Sequence, residues 1–101
     1  MSIQEILHEE WRIAILTSLK ALPGSVGYEG LLQKLVASYH HYYLTRDEMQ
    51  SELRWLRDAG LVRLHDNVTP SRITYTATLS DKGLAVAEGR LRAAGVRLPG
   101  E

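Results

Sequence analysis

Residues 45–62 read TRDEMQSELRWLRDAGLV, a segment with its own start, stop and two-sided pattern. Thr45 with Glu48 three positions on makes a capping box, each side chain meeting a backbone N–H of the other. Gly60, after Ala59, supplies the left-handed stop that ends many helices. Successive helical residues turn by about 100°, so Met49, Leu53 and Leu56 fall together as the core stripe. Arg46, Gln50, Arg54 and Arg57 gather on one flank, and Glu48 and Glu52 on the other. Trp55 lies off the core stripe on the acidic side. It suits packing beneath a hairpin or against the first helix, or a partner-binding anchor.

Downstream, Leu61-Val62-Arg63-Leu64-His65 reads as a short strand. In residues 73–79, ITYTATL, Ile73, Tyr75, Ala77 and Leu79 alternate with threonines, the pattern of a strand with one face buried. The polar stretch between them, residues 66–71, is the expected hairpin tip, since Pro and Asn belong in turns. Ser80 caps a final helix expected to run through Leu84, Ala87 and Leu91 to near Gly95.

Upstream, Ile3, Ile6, Leu7, Trp11, Ile15, Leu19 and Leu22 are close to helical spacing over residues 3–22. Ile13 and Leu16 fall outside that stripe, so this helix needs the core and a further partner, such as a second subunit. Pro23-Gly24-Ser25 opens a loop, and Tyr28 to Tyr39 gives a second helix over roughly 28–40. The order is ααα-ββ-α, mainly α with a small β-hairpin, which is the winged helix-turn-helix arrangement. The reading places one domain over residues 1–95 and an extended C-terminal tail over 96–101.

In that arrangement the 45–62 helix would enter a DNA groove. Arginine presents forked donors to guanine O6 and N7, and glutamine can pair with adenine. Arg46, Gln50 and Arg54 are the expected groove readers, with Arg57 at the edge. Arg63 and Arg72 are the expected wing contacts to phosphate, a positioning role. Asp47 and Asp58 sit close to the same surface, and Asp58 is spaced for an i,i+4 pair with Arg54. Twelve basic side chains balance twelve acidic ones, so any DNA affinity must come from local segregation of charge.

Other chemistry is not visible. There is no cysteine, hence no disulfide framework and no thiolate metal site. His8, His40, His41 and His65 show no metal-ligand spacing, and no Gly-rich phosphate loop or G-x-S-x-G nucleophile motif occurs. No enzyme, cofactor or metal is expected. No apolar run approaches the roughly 20 residues of a membrane span, and the start, MSIQEILHEEW, has no secretory pattern. A cytoplasmic location is the simplest fit.

WRIAILTSL, PGSVGYEGLLQKLV, TRDEMQSELRWLRDAGLV, ATLSDKGLAVAEGR and GVRLPG run nearly end to end. In combination they resemble the small winged-helix proteins of Mu-like bacteriophages and prophages, which are at times grouped with ArsR-type regulators. The resemblance implies a phage-encoded winged-helix protein acting in the cytoplasm of a bacterial host. ArsR-like regulators are typically dimers built from their terminal helices, which would suit the broad apolar surface of residues 3–22. Their metal sensing relies on a cysteine motif that this chain lacks.

Three functions are compatible with the sequence. The first is a homodimeric transcriptional regulator binding double-stranded DNA. The second is an interaction module that keeps the fold without DNA activity, accessory to phage DNA packaging or assembly. The third is a ligand-responsive repressor with a pocket near Trp11 and Tyr39.

Overall fold

The computed structural model describes residues 2–100. Its elements are α1 (Ile3–Ala21), β1 (Val26–Tyr28), α2 (Glu29–His40), α3 (Arg46–Asp58), β2 (Val62–Val68), β3 (Ile73–Leu79) and α4 (Asp81–Ala87). α1 is the central helix. Trp11, Ile13, Ala14, Ile15, Leu16 and Leu19 are buried, and the helix packs on α2, α3, α4 and β3. Ile13 and Leu16, which break the simple apolar stripe, are covered because α1 has neighbours on several sides. Its first turn projects further, leaving Ile3 84% exposed.

α3 forms as its capping residues dictate. The Thr45 hydroxyl accepts from the Glu48 N–H at 3.1 Å. The Glu48 carboxylate accepts from the Thr45 N–H at 2.8 Å. At the far end Gly60 has φ +77°, and the N–H groups of Gly60 and Leu61 donate to the carbonyls of Arg57 and Leu56. This is the Schellman ending, with Leu61 and Leu56 both buried beside it. Met49, Leu53 and Leu56 are fully buried, as the helical pattern requires.

The strands form one antiparallel sheet in the order β1-β3-β2. Val62 pairs with Leu79 and Val68 with Ile73, while Val26 pairs with Thr78 and Tyr28 with Thr76. The expected hairpin is therefore present, with two differences. The strands reach further, so Asp66, Asn67 and Val68 belong to β2 and the tip is confined to residues 69–72. A third strand, β1, arises from the expected loop together with Tyr28, which was expected to open the second helix. Three residues are too few to show alternation, and their pairing comes from β3 far along the chain.

The last helix is also shorter than expected. Ser80 caps it through its hydroxyl, which accepts from the Gly83 N–H at 2.9 Å. It ends at Ala87 because Gly89 turns left-handed (φ +78°), with Gly89 and Arg90 donating back to Val86 and Ala85. Up to residue 100 the chain after α4 lies back against α1 without helix or strand: the Arg97 N–H donates to the Glu9 carbonyl at 3.4 Å. The Arg97 guanidinium meets Glu10 at 3.0 Å. The architecture is a winged helix-turn-helix, α1-β1-α2-α3-β2-β3-α4, with β2 and β3 as the wing.

Candidate nucleic-acid interface

α3 and the wing lie side by side, and the residues proposed for contact divide into two groups. Arg54 and Arg57 are exposed on α3, and Arg63 on β2 and Arg72 at the tip are exposed on the wing. Arg54 has no hydrogen bond or ion pair among the described residues. Asp58 pairs with Arg57 at 3.2 Å, both side chains being open to solvent; the expected Asp58–Arg54 pair is not formed. Arg63 projects opposite Val62 and Leu64, across from Thr78. The tip that carries Arg72 is closed by the Thr69 N–H and hydroxyl, which both donate to the Arg72 carbonyl at 3.0 Å.

Arg46 and Gln50 are held by the protein itself. The Arg46 Nη2 donates to the Ile73 carbonyl at 2.9 Å, and its Nε lies 3.5 Å from Glu29 Oε2, without a hydrogen bond. The Gln50 amide nitrogen donates to the same Ile73 carbonyl at 3.0 Å. It also donates to the Glu29 carboxylate, at 2.9 and 3.1 Å from the two oxygens. Glu29 accepts the Tyr75 N–H as well. This carboxylate is only 2% exposed, and burying an ionised carboxylate is costly unless it is paired and hydrogen-bonded. Its position in the first turn of α2 adds the favourable helix-terminus field.

On the opposite flank of α3, Glu52 is likewise buried, not solvated as its place on an acidic flank would suggest. It accepts from Arg12 Nε at 3.0 Å and meets His8 Nδ1 at 2.7 Å. Arg12 stacks 3.8 Å above the Trp55 ring and donates to the Gly95 carbonyl at 3.0 Å. Trp55 therefore packs against the first helix, one of the roles the sequence allowed, and also against the returning tail.

Neither Glu29 nor the Glu52 pairing was among the residues singled out from sequence. Glu29 offers no local signal, because its partners come from α3 and β3. Glu52 did carry one: on the helical wheel it falls between Leu56 and Trp55, and a carboxylate flanked by large apolar groups needs a cation from elsewhere.

Towards the C-terminal end of α1, His40 lies beside the Thr17 hydroxyl at 3.3 Å. Burial pushes its pKa below the ordinary value, helped by His41 and opposed by Glu10. Burial and then the Glu10 carboxylate push Tyr42 upward, against Arg97. These groups lie by the tail rather than by α3. No group of His, Asp or Glu among the described residues is arranged to hold a metal ion, and no helix there is long and apolar enough to cross a membrane.

No family model matches the chain. Its fold is similar to that of a "putative transcriptional regulator" from Thermoplasma acidophilum, with a TM-score of 0.67 and 20% sequence identity. That match covers 81% of this chain and 75% of the other. The uncharacterized protein gp26 of Escherichia phage Mu is 36% identical over 97 residues, spanning 96% of this chain and 95% of the phage protein. With that identity running almost from end to end, the chain belongs to the family of phage Mu gp26.

Proposed function

We propose that this chain is a winged-helix DNA-binding protein acting as a phage transcriptional regulator in the host cytoplasm. The observation that carries the reading is the exposed arginine side of α3, with Arg54 unpartnered at its centre and Arg63 and Arg72 on the wing next to it. Arg54 has the donor geometry to read guanine from the major groove, with Arg57 at the groove's edge. Arg63 and Arg72 hold phosphates. Arg46 and Gln50 lie at the same rim but reach a base edge only by giving up Ile73 and Glu29. A homodimer through the N-terminal and C-terminal helices fits the exposure of Ile3 on α1 and of Leu91 just beyond α4, and light scattering measures it directly.

The test is duplex binding over a salt series. Two wing arginines on phosphates, with Arg57 at the groove's edge, predict a log–log slope of about −2 to −3 per protomer. No binding at low salt overturns the reading.

One observation favours a second reading, an interaction module accessory to phage DNA packaging or assembly. Two of the four candidate readers on α3 are already occupied by Glu29, and Asp47 and Asp58 are exposed on the same helix. Absence of DNA binding together with retention of the fold would support it.

A further inference from the structure

We infer that Glu29 is the positioning residue of the wing, fixing β3 against α3 through Arg46 and Gln50. The inference builds on the DNA-binding reading above and assigns different work to residues of the same surface. On this assignment Arg46 and Gln50 hold the wing in place, and base reading on α3 falls to Arg54 and Arg57.

A two-stranded ribbon on its own is marginal in water, so the direction of a wing has to be set at its base. β1 ends at Tyr28, paired with Thr76. The next β3 residue towards the tip, Tyr75, has no β1 partner, and Glu29 takes its N–H in place of a strand. The same carboxylate accepts from Gln50 and faces Arg46. Both of those side chains then donate to the Ile73 carbonyl, two residues nearer the tip. Three elements, α2, α3 and β3, thus meet at one buried acid. The Gln50 nitrogen has two hydrogens, one for the carboxylate and one for Ile73, so its donor capacity is filled.

Beyond this junction the wing has little to hold it. Val68 is 73% exposed and Ile73 48% exposed, and Arg72 lies beyond them. Loosening the base would leave the tip free to swing and Arg72 without a fixed place, whereas Arg63, opposite Thr78 in the three-stranded part of the sheet, keeps its position.

The experiment compares the native chain with Glu29→Ala, and with Arg46→Ala/Gln50→Ala, which spares Glu29 should the first variant not fold. Hydrogen exchange read by NMR reports the base of the wing. The Tyr75 amide should exchange at least tenfold faster in Glu29→Ala, which leaves it no acceptor, while the amides of Leu53 and Leu56 in α3 stay protected. In the double variant the wing-tip amides of Val68 and Thr69 should exchange faster, again with α3 unchanged.

Duplex binding then separates positioning from general stability. The salt slope should flatten by about one per protomer in Glu29→Ala, the share of Arg72. Arg72→Ala should weaken the native protein yet change Glu29→Ala less than twofold. A full Arg72 effect in both backgrounds overturns the inference, as does unchanged exchange at Tyr75. If the native chain binds no duplex, the DNA-binding reading fails, and exchange at Tyr75 and the wing tip alone decides the role of Glu29.

Discussion

Arg46 and Arg54 lie two turns apart on one helix and have different surroundings. The first has its guanidinium against Glu29 and the Ile73 carbonyl, whereas the second is exposed and unpartnered. Arg54→Ala is expected to weaken specific DNA binding by about 1–3 kcal/mol, the value of one bidentate base contact, with thermal stability unchanged. Fluorescence anisotropy and a melting curve measure the two effects. Arg12 should behave in the opposite way. It serves the buried Glu52, the Trp55 face and the Gly95 carbonyl together. Arg12→Ala leaves the acid with His8 alone and should cost about 3 kcal/mol in urea unfolding, as broken buried pairs do. At Gly83 two effects compete. Alanine gains about 1 kcal/mol of helix propensity, but its Cβ would lie 2.0 Å from the Leu61 carbonyl oxygen. Backbone cannot yield as a flexible side chain does, so Gly83→Ala should be destabilising by about 2 kcal/mol or more.

At the level of elements, the sequence was most legible where local chemistry decides the outcome. The capping box at Thr45, the stop at Gly60 and the alternation of residues 73–79 each rest on neighbours in the chain. Thr45→Ala should accordingly cost about 1 kcal/mol of stability, measurable by thermal unfolding. β1 was not legible, because its three residues become a strand only by pairing with β3. The early end of α4 was missed for a different reason. Leu91 continues the helical spacing, but Gly89 ends the helix first and leaves Leu91 40% exposed. Among the candidate contacts, the sequence grouped Arg46, Gln50, Arg54 and Arg57 on one flank of α3. It could not show which of them the fold would occupy, since Glu29 reaches that flank from another helix.

Taken as a whole, the molecule displaces the pKa values of His40 and Tyr42, which lie beside the returning tail rather than on α3 or the wing. Its His40 pKa lies below the ordinary 6.5, mainly through burial, so the unfolded chain binds the proton more readily than the folded one. Stability should therefore decline as pH falls below 6.5 towards the folded value, and be unaffected by this residue above it. His40→Gln should flatten the dependence of melting temperature on pH between 7 and 5 (about the range over which an ordinary histidine titrates); equal profiles would exclude a contribution. Tyr42 acts at the alkaline end: its raised pKa means the fold loses stability as pH rises above 10, where the unfolded phenol ionises first. The two buried acids on either side of α3 have a joint mechanical effect. Glu52 is gripped from α1, and Glu29 grips from α2, so torque in either sense about the helix axis strains an ion pair. α3 is thereby kept from rolling in its seat, and a ligand meeting its outer surface encounters a face already turned to a fixed angle.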